Sequence, residues 1–321
     1  MTKIFIPVER DKWRFTSHFK TPFGFYRVRG KLEDFHKISP VPVKRKRLIF
    51  PVGKFDVFVS GFEAEQILKH SKDAEVISGY FYDGKEDYSL ADYVKDFYAQ
   101  KKRIDGNKNP AEYHLIKVLL NSLYGKFIQM NRGNMSVFLK DSFTGDLVKW
   151  GKRYVASGLF NPPVASWITG FCRAGLFAKM KSREKYVTYC DTDSIGLVKG
   201  SFPESNRLGG LKVEGKGLAT FIREKLYYVL NKKSEIVKKG THGFWGKPKE
   251  FRDMVMAGKD VYTMKRLVKL REAYIQDKNP FTEEIKQRTI GLYTSRKREN
   301  SRTIDFLNDF VWLNPIKVRM F

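Results

Sequence analysis

The spacing of hydrophobic and polar positions changes several times along the chain. Residues 21–60 contain short runs that alternate with a period of two, such as Phe25-Tyr26-Arg27-Val28-Arg29, and these predict strands and turns. Helices are predicted over residues 62–70, 90–103, 112–126 and 163–180, and a strand over residues 75–82. Residues 186–198 predict a strand, a polar tip and a second strand. Helices and strands that mix without a repeating β-α-β order indicate an α+β fold.

The amino-acid composition indicates what kind of partner the chain binds. The 321 residues include 61 Lys and Arg against 35 Asp and Glu, a formal net charge of +26, and 42% are hydrophobic. A chain that folds and is this basic favours an acidic partner, and nucleic acid first, because lysine and arginine neutralise phosphates. A membrane surface is the weaker alternative. Charge does not distinguish a nucleic-acid enzyme from a passive binder.

Residue counts and the longest apolar stretch exclude several classes of protein. The two cysteines, Cys172 and Cys190, are too few for a disulfide framework or a four-cysteine zinc site, and they suit a reducing, cytoplasmic compartment. The longest apolar stretch, residues 158–180, contains two prolines and Arg173, which indicates a buried helix and not a membrane span. We therefore expect no membrane partner.

The most informative segment is an apolar hairpin with an acidic tip. Asp191 and Asp193 are two residues apart between β-branched and aromatic flanks. On an extended segment two such side chains point the same way, and paired carboxylates suit Mg²⁺. A solvated Asp-Thr-Asp turn is the alternative, but the flanks predict a buried hairpin that holds the tip. A glycosyltransferase also uses Asp-X-Asp with a metal, so this motif alone leaves the reaction open.

A second segment combines helical spacing with a polar stripe. Lys117, Asn121 and Tyr124 are spaced to lie on one side of a helix, where they could meet a triphosphate and a base or sugar. The apolar positions Leu115, Val118, Leu119 and Leu123 are expected to face the core. The alternative is an ordinary amphipathic helix with a solvated lysine.

Together the two segments resemble motifs B and C of the family B DNA polymerases. The first reads Lys-x₃-Asn-Ser-x-Tyr-Gly and the second Tyr-x-Asp-Thr-Asp-Ser, and Lys225-Leu226-Tyr227 resembles the third motif, Lys-x-Tyr. Their order and spacing resemble the protein-primed branch found in bacteriophages and linear plasmids. The resemblance implies an α+β right-hand fold, present in part, with an antiparallel palm sheet, helical fingers and a thumb.

The resemblance also implies roles for individual residues. Asp191 and Asp193 would be catalytic, with Asp193 binding metal directly and Asp191 less directly. The incoming nucleotide would be bound by Lys117, Asn121, Tyr124 and Lys101, although Lys102 or Arg103 could replace Lys101. The primer end and DNA would be bound by Lys225, Tyr227, Ser122, Gly125, Lys126 and Thr192. The cofactor would be two Mg²⁺ ions, or Mn²⁺ in their place.

One family motif is missing from this sequence. Motif A, Asp-x₂-Ser-Leu-Tyr-Pro, supplies an aspartate that bridges both metals, and the nearest segment, Asp87-Tyr-Ser-Leu90, is one residue short and lacks Tyr-Pro. We interpret that segment as a turn and a helix start. The exonuclease motifs are also missing. Because the sequence begins with Met1, we expect one half of a split polymerase, and a truncated piece is the less favoured alternative.

The resemblance divides the chain into five predicted parts. They are a strand-rich region similar to the first protein-primed insertion (1–90), fingers with motif B (91–127), a hairpin-like second insertion (128–156), a palm with motif C and Lys-x-Tyr (157–257) and a basic thumb (258–321).

The prediction is the C-terminal subunit of a split DNA-directed DNA polymerase. Its expected partners are primer-template DNA, dNTPs, a second chain with motif A and the exonuclease, and a terminal protein where priming uses one. The expected location is the cytoplasm, that of the host if the protein is viral. The alternatives are a non-catalytic DNA-binding accessory protein derived from a polymerase, or another Asp-X-Asp metal-dependent transferase.

Overall fold

The chain divides into two compact units. A computed structural model describes residues 2–33, 38–44, 48–140, 147–205, 207–223, 225–241, 244, 246–259, 261–268 and 283–289. In the described part of the chain, unit 1 runs to Lys185, and unit 2 begins at Tyr186. Each unit is described by itself.

Unit 1 combines short antiparallel strands with four helices in its described residues. The strands are β1 (Ile6–Pro7), β2 (Trp13–Thr16), β3 (Gly24–Leu32), β4 (Val43–Lys44), β5 (Leu48–Ile49), β6 (Gly53–Ser60), β7 (Glu75–Tyr82), β8 (Glu86–Asp87), β9 (Met130–Lys140) and β10 (Leu147–Ala156). The helices are α1 (Gly61–His70), α2 (Ser89–Arg103), α3 (Pro110–Lys126) and α4 (Pro162–Ser182). A 3₁₀ turn at Arg10–Lys12 precedes β2.

The largest sheet of unit 1 has the strand order β2-β7-β3-β6 and is antiparallel throughout. Along β3, Tyr26, Val28 and Leu32 are buried, while Arg27 and Arg29 between them lie on the opposite face. Successive side chains of a strand point to opposite faces of the sheet, so every second one lies on the same face. The buried face packs against α1 and forms the first core.

A second core of unit 1 is built around Trp167 of α4, which is fully buried. Its ring lies 5.5 Å from that of Phe5 and 5.3 Å from that of Phe23. Asn161 begins the helix, because its side-chain oxygen accepts a hydrogen bond from the Val164 N–H at 3.3 Å. Proline at the first helical position suits this start.

A buried carboxylate joins α1 to α4. Glu63, 4% exposed, accepts hydrogen bonds from the backbone N–H and the hydroxyl of Ser60 at 3.2 and 2.7 Å. Its other oxygen lies 2.6 Å from Nε of Arg173 on α4. Gly170 of α4 lies directly over Ser60, so the two helices approach closely at this point. The ion pair compensates for burying the charge, and its geometry fixes the helix pair.

Unit 2 contains three antiparallel groups of strands in its described residues. The strands are β11 (Val187–Asp191), β12 (Ser194–Leu197), β13 (Leu218–Arg223), β14 (Leu226–Leu230), β15 (Ile236–Thr241), β16 (Val261–Leu267) and β17 (Glu283–Thr289), and the helix is α5 (Pro248–Met256). A 3₁₀ turn spans Glu184–Tyr186. Helix α5 buries Phe251 against Leu226 and Tyr228 of β14.

These elements confirm most of the predicted ones. Helices α1, α2, α3 and α4 cover the four predicted helical segments, β7 covers the predicted strand, and the hairpin of residues 186–198 is present. Asp87 ends a short strand before α2, as expected for a turn and helix start. No helix in the described ranges is long and apolar enough to cross a membrane.

Two glycines of α4 offer a matched test of the close contact between α1 and α4. A Cβ on Gly170 would overlap Ser60, whereas one on Gly175 would meet nothing within 4 Å. We expect Gly170→Ala to lower the free energy of unfolding by about 1–3 kcal/mol through overpacking. Gly175→Ala should leave it unchanged or raise it by up to ~1 kcal/mol, because alanine favours helix. Urea unfolding followed by tryptophan fluorescence measures both, and equal effects would contradict this packing.

Candidate active site

The acidic tip is a two-residue turn between β11 and β12. Asp191 pairs with Ser194, and Thr192 and Asp193 form the loop. Thr192 has a φ of 52°, and the Asp193 N–H donates to the Asp191 carbonyl at 2.6 Å. The Ser194 hydroxyl donates to the same carbonyl at 3.0 Å. A β-branched residue is strained in this left-handed conformation, and such strain is characteristic of functional turns.

This geometry corrects the expected relation between the carboxylates. Asp191 and Asp193 were expected to point the same way because they are two apart on an extended segment. The left-handed Thr192 interrupts that segment, so the period-two rule does not apply across the tip. The hairpin is also less buried than expected, since Tyr189 is its one buried residue within the described chain. The two carboxylates share the tip because of the turn, and not because of strand alternation.

A lysine lies beside one of the two carboxylates. The Asp191 carboxylate lies 3.8 Å from Nζ of Lys225. Lys238 on β15 has its pKa raised, chiefly by a hydrogen bond to Glu214 and with a smaller contribution from the charge of Asp193. The Asp191 carboxylate also accepts a hydrogen bond from the Thr192 hydroxyl at 3.0 Å. The charge of Asp191 is therefore partly offset by Lys225.

An aromatic cluster connects the acidic hairpin to the Lys-x-Tyr turn. Lys225 lies between β13 and β14 with a φ of 57°, and its backbone N–H donates to the Tyr189 hydroxyl at 3.0 Å. The Tyr189 ring lies 4.8 Å from that of Phe221 and 5.2 Å from that of Tyr227. Tyr189 thus brings motif C and the Lys-x-Tyr element together, two segments about 35 residues apart.

The polar stripe of α3 is exposed in unit 1. Lys117, Asn121 and Tyr124 all lie at the surface, with Tyr124 40% exposed. Two residues expected to face the core do not: Leu115 is 57% and Val118 44% exposed, since α3 buries only Ile116 among its described residues and packs Leu123 against the Trp167 core.

The remaining predicted residues of unit 1 lie on or beside the same two helices. Ser122 is exposed and donates to the Leu119 carbonyl at 3.3 Å. Gly125 has open space where a side chain would extend, and Lys126 is exposed at the end of α3. Lys101 of α2 lies over the Tyr113 ring of α3 at 5.4 Å, so a cation–π contact joins the two helices.

Sequence reasoning missed Lys238 and Glu214 and gave no role to Tyr189. Lys238 lies in a basic stretch without a motif; the structure places it on β15, opposite Val229 of β14 and paired with Glu214. Tyr189 had a signal, because an aromatic residue two positions before a strand end points to the same face as the last residue of that strand.

The acidic tip does not form a complete metal site by itself. In the described ranges, no group of three or more His, Cys, Asp or Glu side chains is arranged to hold a metal ion. Carboxylate oxygens are nonetheless the ligands that Mg²⁺ prefers. The two aspartates therefore fit part of a metal site that needs further oxygen ligands.

Comparison with known proteins identifies the family. Residues 3–195 match the model of DNA polymerase type B, organellar and viral, which is well over half of the chain. The chain belongs to this family. The predicted family is confirmed, and the matched range ends before the Lys-x-Tyr element.

The relatives of this family B member are much longer than the region they share with it. A probable DNA polymerase of Neurospora intermedia is 26% identical over 63% of the chain and 23% of its own length. A DNA-directed DNA polymerase of Enterobacteria phage PRD1 is 30% identical over 47% of the chain and 30% of its own length. The chain thus matches about a quarter to a third of these relatives.

A solved structure agrees in fold. Phi29 DNA polymerase, complexed with primer-template DNA and incoming nucleotide substrates, matches 90% of the chain and 55% of its own chain with a TM-score of 0.59 and 18% identity. The α+β polymerase fold, present in part, is confirmed.

The hydrogen bond between Tyr189 and Lys225 can be tested by removing one oxygen. We expect Tyr189→Phe to lower the free energy of unfolding by about 1 kcal/mol, because a partly buried N–H then loses its acceptor. Tyr227→Phe is the matched control, since the Tyr227 hydroxyl makes no hydrogen bond to other described residues. Thermal unfolding measures the difference. Equal effects of the two variants would show that the hydroxyl does not hold the turn.

Proposed function

We propose that this chain is the C-terminal subunit of a DNA-directed DNA polymerase that is active together with a second chain. The reaction is templated nucleotidyl transfer, in which a primer hydroxyl attacks the α-phosphate of a dNTP, the bond between the α- and β-phosphates breaks, and pyrophosphate leaves. The observation that carries the proposal is the junction of the Asp191–Asp193 turn with the Lys225 turn through Tyr189, in a member of a polymerase family.

The two aspartates are proposed as the metal-binding and catalytic groups. Asp193 binds metal directly, and Asp191, beside Lys225, contributes less directly. The ions, Mg²⁺ or Mn²⁺, would stabilise the attacking and leaving oxygens of the transfer. A divalent cation near the tip also offsets the repulsion between two close carboxylates.

Contacts with the nucleotide and with DNA are proposed for individual residues. Lys117 offers an exposed ammonium for the triphosphate, with Asn121 and Tyr124 on the same side of α3 for the base pair. Lys101 takes the second phosphate contact, although its cation–π contact with Tyr113 must give way. The primer and DNA contacts are proposed at Lys225, Tyr227, Thr192, Ser122, Gly125 and Lys126.

A second chain is proposed because Asp191 and Asp193 alone do not provide all the carboxylates that a two-metal site of this family uses. A two-metal site needs a third carboxylate, and the described residues offer none near the tip. The sequence contains no Asp-x₂-Ser-Leu-Tyr-Pro. The partner would therefore carry the motif A aspartate and the 3′–5′ exonuclease, and a terminal protein where priming uses one. Replication by such a complex would occur in the cytoplasm, that of a host for a viral protein.

The five-part division is retained as part of the proposal. Helices α2 and α3 supply the fingers, β9 and β10 supply the hairpin of the second insertion, and residues 157–257 supply the palm. Residues before 90 correspond to the first insertion. The proposed thumb, 258–321, falls mostly outside the described residues.

A non-catalytic accessory protein is the second candidate function. The high positive charge and the incomplete acidic set would suit a DNA binder derived from a polymerase. The two functions differ in one measurement, which is whether Asp193 matters for synthesis. A different Asp-X-Asp transferase is disfavoured by the charge of +26 and by the exposed Lys117 stripe, and turnover of nucleotide-sugar without DNA would revive it.

Primer extension tests the catalytic assignment. The chain alone should extend no primer with Mg²⁺, and extension should appear when a chain that carries motif A is added. In that complex we expect Asp193→Asn to lower the rate at least about a hundred-fold, since metal stabilisation of the transition state is worth several kcal/mol.

The matched control is Asp253→Asn, which removes an acid from α5 of the same unit and should leave the rate unchanged. Extension by the purified single chain would refute the need for a partner. An unchanged rate for Asp193→Asn would refute the site and favour the accessory function.

Steady-state kinetics test the fingers assignment. We expect Lys117→Gln to lower kcat/KM for dNTP about ten- to a hundred-fold, because a charged hydrogen bond to phosphate is worth about 1.5–3 kcal/mol. Lys179→Gln, at an exposed position of α4, is the control and should have no effect. If the Lys117 variant loses DNA affinity but keeps its dependence on dNTP concentration, this lysine binds DNA and not the nucleotide.

A further inference from the structure

The two carboxylates of the acidic turn differ in what surrounds them. Both oxygens of Asp191 have a partner: the Thr192 hydroxyl donates to Oδ1 at 3.0 Å, and Nζ of Lys225 lies 3.8 Å from Oδ2. Asp193 is exposed, and its carboxylate makes no hydrogen bond or ion pair with the residues that the structure describes. A cation that approaches the turn therefore finds Asp193 open, whereas Asp191 already has an ammonium beside it.

The ion pair between Asp191 and Lys225 is close but not tight. Its separation of 3.8 Å exceeds the range of about 2.7–3.2 Å for an N–H···O hydrogen bond, so the two charges attract each other without a direct bond. The side chain of Lys225 is 52% exposed and that of Asp191 27% exposed. Water and salt weaken so exposed a pair, and a doubly charged ion can therefore replace the ammonium.

The backbone of Lys225, in contrast to its side chain, is held in place. Its φ of 57° is left-handed, and its N–H donates to the Tyr189 hydroxyl at 3.0 Å. Tyr189 is buried on the strand that ends at Asp191, and its ring lies 4.8 Å from that of Phe221. The lysine therefore begins from a fixed point beside Asp191. Its flexible four-carbon stem allows the ammonium to move while the turn stays where it is.

We propose that Lys225 is a built-in counter-ion of Asp191 and competes with a divalent cation for this carboxylate. Before a cation binds, the ammonium offsets part of the repulsion between Asp191 and Asp193. When a cation binds to both carboxylates, Lys225 is released, and its charge becomes available to a phosphate of the DNA. The inference rests on the proposed function for the identity of the two ligands, and it adds an exchange that the reaction itself does not require.

The exchange couples metal binding to DNA binding. One ammonium cannot lie beside Asp191 and beside a phosphate at the same time, so each ligand that removes Lys225 from the carboxylate favours the other. Thermodynamic linkage requires the two effects to be equal. Lys238, the other lysine that the charge of Asp193 reaches, does not suit this role, because it is paired with Glu214 at 2.5 Å.

Binding of Mn²⁺ to the full chain, without DNA or dNTP, tests the competition. Electron paramagnetic resonance measures it, because the signal of the free ion reports the unbound fraction. We expect Lys225→Gln to raise the affinity for Mn²⁺ about two- to five-fold, the range that corresponds to an exposed ion pair. Lys225→Arg keeps the positive charge and should bind Mn²⁺ like the parent chain.

Lys232→Gln is the matched control for the loss of one positive charge. Lys232 lies in the turn between β14 and β15, separated from Lys225 by the five residues of β14, which span roughly 17 Å. Charges interact over about 8 Å at physiological salt, so this variant should bind Mn²⁺ like the parent chain. In an Asp191→Asn background, Lys225→Gln should have no effect on Mn²⁺ affinity, because its ion pair is already gone.

DNA binding without metal tests the release of the lysine. We expect Asp191→Asn to raise the affinity for primer-template DNA about two- to five-fold more than Asp193→Asn, which removes the same charge but not the partner of Lys225. The slope of log affinity against log salt should steepen by roughly 0.9, because one more phosphate contact forms. Fluorescence anisotropy measures both effects, and adding Lys225→Gln should cancel them.

Any of three Mn²⁺ results would overturn the proposal: no gain in affinity for a folded Lys225→Gln, an equal gain for Lys232→Gln, or a gain that persists beside Asp191→Asn. Thermal unfolding checks the fold of each variant. The DNA comparison of Asp191→Asn with Asp193→Asn leaves Lys225 intact, so it tests the exchange even if a Lys225 variant does not fold. Primer extension by the complex is measured separately, and a failure of the exchange is therefore distinguishable from a failure of the polymerase assignment.

Discussion

Two carboxylates on one tight turn repel each other, and a lysine beside the turn offsets part of that repulsion. Lys225 lies 3.8 Å from the Asp191 carboxylate. Lys225 belongs to the turn between β13 and β14, so its place beside the acidic turn depends on that sheet packing against the hairpin through Tyr189. The left-handed Thr192 adds local strain that this packing must sustain.

Tyr189 is the side chain that connects the acidic hairpin to the neighbouring sheet. Its ring packs against Phe221 and Tyr227, and its hydroxyl accepts the N–H of Lys225, itself in a left-handed conformation. One side chain therefore orients the lysine turn relative to the acidic turn. Positioning residues of this kind give a reactive site its rigidity, because the groups that would touch substrate are too exposed to hold themselves in place.

In unit 1, too, buried side chains hold the elements together while the proposed contact residues lie at the surface. Glu63 and Trp167 are buried, and Arg173 pairs with Glu63 to join α1 to α4, while the polar stripe of α3 and the rings of Phe15, Phe58 and Tyr80 remain at the surface. Leu115 and Val118 are exposed as well, so α3 owes its place to few buried side chains. Its exposed side carries the residues for which contacts are proposed above, Lys117, Asn121 and Tyr124.

The helices, the acidic hairpin and the family could be predicted from the sequence, because periodicity and short motifs are local properties of the chain. The polymerase motifs could be found in this way, since each lies within about ten residues. Sequence reasoning failed where distant segments meet. Three features become visible in the folded chain alone: a left-handed Thr192 sets the relation of the two aspartates, Lys225 lies beside Asp191, and α3 exposes Leu115 and Val118. The physical reason is that charge, burial and strain at one point depend on side chains brought there by folding, which the local pattern does not encode.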